Sequence, residues 1–167
     1  MQFELRKLSI NDGMDVYEML QEMPADENGF INPVKGMTFE EFKQWLIERD
    51  SFSRVRELID GWRVPDSLYW LYVDGYPVGF GKLRHFLTEK LRKDGGHIGY
   101  AIRPGQRDKG YGTILLKLLI EEARKFGIDR VLLTIKNDNI SSIKVALKNN
   151  GKIERVSEEK HYIWIDC

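Results

Sequence analysis

Between residues 107 and 112 the chain reads Arg-Asp-Lys-Gly-Tyr-Gly, and a leucine-rich run follows at once. A helix that starts there has first backbone N–H groups without partners inside it, and the aligned peptide dipoles add partial positive charge. Such a terminus binds phosphate well. Gly110 and Gly112 carry no Cβ to hold a ligand away from the main chain. Arg107 and Lys109, with Arg103 close by, supply charge suited to a diphosphate. A strand-to-helix turn whose basic residues merely face water has the same composition, so the glycines alone leave both readings open. Two nucleotide loops do not fit. A P-loop needs G-x-x-x-x-G-K-[ST], whereas Thr113 follows Gly112 directly. A dinucleotide fingerprint needs a third glycine, where Leu115 stands instead.

The elements that must position this loop are legible from periodicity. Residues 97–104, "HIGYAIRP", read as a strand ended by proline, and a helix runs from about Gly110 to Phe126 with Leu115, Leu118, Leu119, Ala123 and Phe126 on one stripe. Gly127 suits the position just past its end. "RVLLTI" (130–135) is nearly all apolar, as in a strand covered on both faces, and Asn139 suits the cap of a short helix ending near 149–151. Strand, helix and strand in that order imply a parallel pair with a right-handed crossover. Upstream, "FELRKL" alternates as a half-buried strand does. Val16, Met19, Leu20 and Met23 then fall at helical spacing before Pro24. Residues 25–37 read as a turn-rich loop, and Thr38 with Glu41 forms a capping box for a helix burying Phe39, Phe42, Trp45 and Leu46. Residues 50–65 read as helix and then loop. Aromatic and β-branched residues flank Asp74-Gly75, a preferred hairpin pair, with Pro77 at the start of the second strand. Residues 88–96 read as an exposed loop, and "KIERV" and "HYIWID" as closing strands.

The 167 residues carry 26 acidic and 26 basic side chains, which gives no support to a nucleic-acid or membrane-surface role. Cys167 is the only cysteine, so an internal disulfide and a cysteine-rich zinc site are excluded and no metal is expected. The N-terminus lacks the apolar core of a signal peptide and no run is long enough to span a bilayer, so a cytoplasmic location is expected.

Arg107-x-x-Gly110-x-Gly112 is similar to the R-x-x-G-x-G loop of the GNAT acetyltransferase superfamily. The context resembles it too: Ile102-Arg103-Pro104 before the loop, the leucine-striped helix after it, "RVLLTI", and Asn139-Ile-Ser-Ser142 leading to "KNNG". Further stretches, "GFINP", "DGYPVG", "LRH" and "GGHIGYAIRP", resemble a bacterial subgroup of predicted acetyltransferases. The resemblance implies an α/β (α+β) fold: a mixed, mostly antiparallel sheet of about six to seven strands, helices on both faces, one domain over residues 1–167. It also implies acetyl-CoA as cosubstrate, an amine acceptor, and a possible homodimer.

By that resemblance, the backbone of Arg107, Asp108, Lys109, Gly110, Tyr111, Gly112 and Thr113 holds the diphosphate of acetyl-CoA. The strand at Tyr100, Ala101 and Ile102 bonds the pantetheine arm and polarises the thioester carbonyl, and Asn139 and Ser142 flank the arm. Asn139 as a plain helix cap and Ser142 as a plain small residue stay open. Many relatives carry a tyrosine acid seven residues after the asparagine, where this chain has Ala146, and many carry a glutamate base on the strand before the loop, where it has His97. A histidine suits a base by pKa. His97 is therefore the candidate base, and a hydrogen-bonded strand histidine beneath the glycine turn is the alternative. His85 is a second candidate base and Tyr162 a candidate acid, while Arg84, Glu27 and Asn28 are candidates for an acceptor pocket. The missing tyrosine leaves two rivals to an enzyme: a non-catalytic acyl-CoA-binding domain, and an interaction domain without the cofactor.

Overall fold

In the computed structural model, which describes residues 1–55, 61 and 63–167, the Asp74-Gly75 pair organises the N-terminal half. Both residues adopt positive φ (49° and 80°), and the turn joins β4 (Asp66–Val73) to β5 (Tyr76–Arg84). β1 (Phe3–Lys7) pairs with β4, and β6 (Ile98–Ile102) pairs with β5, all antiparallel, in the order β1-β4-β5-β6. A second antiparallel sheet has the order β7-β9-β8, from β7 (Arg130–Lys136), β8 (Lys152–Val156) and β9 (Lys160–Asp166). Among the described residues the long strands thus number seven and pair antiparallel, with helices on both faces.

On one face, α1 (Met14–Glu22) and α2 (Phe39–Phe52) bury Val16, Met19, Leu20, Phe42, Trp45 and Leu46 against Leu68, Trp70 and Phe80. The expected capping box is present, with Thr38 Oγ1 accepting from the Glu41 amide at 3.2 Å and Glu41 returning to Thr38. Phe39 lies at the edge of that core, packed on Tyr17. On the other face, α4 (Tyr111–Lys125) buries Leu115, Leu116, Leu119, Ile120 and Ala123, a wider arc than the expected stripe. Phe126 falls outside it and stacks on His85 at 4.2 Å. Gly127 takes the left-handed conformation past the helix end (φ 79°). The short α5 (Ile140–Lys148) packs beside α4.

Two stretches read as loops contain structure. Asn28-Gly29 is a tight turn with both residues at positive φ (52° and 89°), joining β2 (Asp26–Glu27) to β3 (Phe30–Ile31). Thr88 caps α3 (Glu89–Lys93), and Leu91 is buried beneath it. In residues 50–65, α2 continues to Phe52, and residues 56–60 and 62 lie outside the described set.

The expected parallel pair is a contact rather than a ladder. The His97 amide donates to Leu132 O at 2.8 Å, and the Leu132 amide donates to His97 Nδ1 at 2.9 Å. Beyond that point β6 and β7 separate and belong to different sheets. The α4 crossover lies against β5 and β6, and its buried residues share one core with Val131, Leu133, Ile163 and Ile165 of the second sheet.

Candidate functional site

The wedge between β6 and β7 opens on two cavities that run into one another. The first, about 610 Å³, lies over the start of α4 and is lined by Tyr100, Ile102, Arg107, Gly110, Gly112 and Ser142, among others. The second, about 440 Å³, lies between the β2–β3 hairpin, β5 and β7. Glu27, Asn28, Tyr100, Asn139 and Ser142 line both and so mark their junction.

The loop backbone has a form suited to an anion. Asp108 (φ 62°) and Gly110 (φ 82°) both take left-handed conformations, which turn successive N–H groups the same way. Among the described residues, no amide from 107 to 113 donates to a main-chain or side-chain acceptor. A Cβ on Gly110 would meet nothing within 4 Å, whereas one on Gly112 would sit 3.5 Å from Val145 and 3.7 Å from the Tyr100 ring. The side chains are less free than the sequence suggested. Arg107 pairs with Glu27 at 2.5 Å and reaches Ile102 O at 3.3 Å. Lys109 bonds Gln106 at 3.1 Å and does not line the cleft. Arg103 is buried away from it, on Pro77 O, Glu22 and the Tyr76 ring, so its charge is not available to the loop. Lys144 and Lys148, one turn apart on α5, line the cleft in its place. Their i, i+4 spacing was the available signal, hidden among many surface lysines.

β6 supplies a second set of donors. Arg84 N bonds His97 O at one end and Arg103 N bonds Val78 O at the other, so odd-numbered residues between them face β5. The amides of Ile98, Tyr100 and Ile102 therefore point into the wedge, while that of Ala101 is turned to β5. The Tyr100 phenol lies 3.2 Å from Ser142 Oγ, and burial pushes its pKa up to about 12. Asn139 caps α5 through the Ser142 amide (3.4 Å) and also lines both cavities, so its cap role and its place at the site coexist.

The three proton-transfer candidates lie elsewhere. His97 is 7% exposed, and its Nδ1 is occupied by the Leu132 amide. Burial, with Arg92 and Arg84 nearby, lowers its pKa to about 4. His85 bonds Ser67 through Nε2 at 2.8 Å, under Phe126. Tyr162 donates to Lys93 O at 2.7 Å beneath the Arg155 guanidinium. None of the three lines either cavity. Ala146, at the family's tyrosine position, is fully buried in the core rather than facing the cleft. Glu27, Asn28 and Arg84, considered from sequence only as pocket-shaping residues, all line the second cavity.

Solved acetyltransferases share this fold. The chain superposes on the Campylobacter jejuni N-acetyltransferase PseH, solved with acetyl coenzyme A, with a TM-score of 0.64 at 13% identity over 99% of both chains. An N-acetyltransferase from Staphylococcus aureus gives 0.63 at 18% identity, also over 99% of both chains. The ribosomal-protein acetyltransferase RimL, solved with coenzyme A, gives 0.72 at 16% identity over 99% of this chain and 94% of that one. The model of the acetyltransferase (GNAT) family matches residues 35–151, most of the chain and all of the loop, the wedge and α5. The chain belongs to the GNAT acetyltransferase family.

Proposed function

We propose that the protein transfers an acetyl group from acetyl-CoA directly to a primary amine. The observation that carries this reading is the junction of two cavities at one wedge, one faced by unbonded amides and the other by polar side chains. The amides of residues 107–113 would receive the diphosphate, with Lys144 and Lys148 adding positive charge at the rim. The pantetheine arm would run along the β6 edge, where the Tyr100 and Ile102 amides stand free to bond it and to polarise the thioester carbonyl. Asn139 and Ser142 would flank it from α5.

In the reaction the amine lone pair forms the new C–N bond and the C–S electrons leave with the thiolate. The ammonium form sheds two protons overall, one to the departing sulfur and one to solvent. Tyr100, which lines both cavities, would hydrogen-bond that sulfur. With a pKa near 12 it keeps its proton, since a thiol, near 8.5, is by far the stronger acid. A general acid is then dispensable, which accommodates Ala146. His97 serves in this reading as a strut between the sheets rather than as the base.

Release of CoA thiol with an amine panel, measured beside the thermal shift with acetyl-CoA, tests the reading. At 100 times Kd the ligand should add about 2.7 kcal/mol of stability. A shift without turnover on any amine would instead identify a binding domain, and no shift at all would remove the donor assignment.

A further inference from the structure

The second cavity holds unmet charge of both signs. Glu27 gives Oε1 to Arg107, but its Oε2 is buried without a hydrogen-bond partner among the described residues. A buried carboxylate oxygen is rarely left so, because it forfeits its hydration. Lys82 and Arg84 stand two residues apart on the same face of β5 and line the same cavity. The Lys82 ammonium makes no hydrogen bond or ion pair among the described residues. Arg84 uses one nitrogen on the carbonyls of Gly95 (3.1 Å) and Gly96 (3.2 Å) and has no carboxylate partner there. Burial, with Arg84 and Arg49 close, brings the Lys82 pKa down to about 7, the behaviour of a cation that lacks its counter-ion. Of the other charges nearby, Arg49 pairs with Asp66 and keeps a buried Nε without a partner among the described residues, Lys160 pairs with Asp94, and Lys136 and Glu159 are exposed and opposite in sign.

We propose that the acceptor is a small molecule carrying an anionic group, carboxylate or phosphate, besides its amine. The ammonium bonds Glu27 at the junction, and the anion sits on Lys82 and Arg84. The proposal rests on the acetyl-transfer reading above and names its substrate class. Adjacency supports it. Glu27 pairs with Phe30 in the hairpin, the Phe30 ring lies over Gly99, and Gly99 pairs with Lys82 across the sheet. The two binding ends are thus one strand apart, within a volume suited to a small metabolite.

The test is calorimetric binding to the CoA-loaded protein, beside turnover with acetyl-CoA. The probes are matched pairs, each an amino acid against its amide or a phosphorylated amine against its parent. The anionic member of at least one series should bind about tenfold more tightly and show the same gain in kcat/KM. The series that shows the preference separates carboxylate from phosphate. Lys82→Met should erase the preference and leave CoA affinity unchanged, and Lys82→Arg should keep it. Lys82→Met removes a desolvated charge, so its thermal midpoint should not fall. Glu27→Gln should weaken every amine. Equal or better binding of the neutral members, no binding in any series, or a preference that survives Lys82→Met overturns the proposal. Anion-selective binding without thiol release would sink acetyl transfer and leave this assignment standing, while turnover without selectivity does the reverse.

Discussion

Gly110 and Gly112 look equivalent in the motif, yet the backbone separates them. Gly110 sits at φ 82°, so any other residue there is strained by roughly 1–2 kcal/mol whatever the loop binds. Gly112 has ordinary φ and room for a methyl group. Gly110→Ala should therefore lower stability by about 1 kcal/mol while Gly112→Ala is nearly silent in the free protein. Gly112→Asp should abolish the acetyl-CoA thermal shift without unfolding the chain, by placing bulk and negative charge at the proposed diphosphate site. Retained binding in Gly112→Asp would place the phosphates elsewhere. His97 makes a second prediction. Protonation would put a hydrogen on Nδ1, against the Leu132 N–H, so the folded state favours the neutral ring. With the pKa lowered from 6.5 to about 4, the unfolded chain binds more protons between those values. The contribution is full above pH 6.5 and is lost as pH falls toward 4, amounting to about 2 kcal/mol by pH 5. Wild-type thermal midpoints should fall across that window, and those of His97→Gln should fall less.

At the scale of elements, the β2–β3 hairpin borders the second cavity, proposed above to take the acceptor, and it was the least legible part of the site. Its Asn28-Gly29 signal is as strong as Asp74-Gly75. Only two residues pair on either side, too few to show alternation, so the stretch read as loop. α3 was missed for a similar reason: one turn has no periodicity, and Thr88 was the only marker. The long elements were plain because their burial repeats, as in α4 and the β4–β5 hairpin. Gly99 holds the short hairpin in place, since a Cβ there would approach the Phe30 ring to 2.8 Å. Gly99→Ala should displace the hairpin and with it Glu27. We expect KM for the amine to rise several-fold with little change in acetyl-CoA affinity, and steady-state kinetics with each substrate varied will show it. An equal loss for both substrates would mean that the hairpin serves the whole cleft.

For the whole molecule, the decisive feature is that two sheets touch at one place and then part. Order along the chain gave strand, helix, strand and so a parallel pair, but periodicity carries no information on how far two strands stay together. His97, chosen as a base for its pKa range, belongs to that contact instead; burial and the Leu132 amide, neither visible in the sequence, decide its chemistry. Gly96 is the closest approach. Its φ is 62°, and a Cβ would run into the Leu132 carbonyl, with the carbonyl carbon at 3.0 Å. Gly96→Ala should cost more than about 2 kcal/mol, well above Gly29→Ala, which meets only strain, and urea denaturation of the two variants will rank them.

The parting of β6 and β7 leaves an exposed strand edge in the interior of a protein, where edges are ordinarily covered. The Ile98, Tyr100 and Ile102 amides on that edge have no strand beside them, so they should trade their hydrogens for deuterium far faster than their odd-numbered neighbours held by β5. An extended ligand laid along them would behave as a missing strand. Saturating acetyl-CoA should slow exchange at Tyr100 and Ile102 while leaving Gly99 and Ala101 as they were. The ligand's path would then be written in alternate residues.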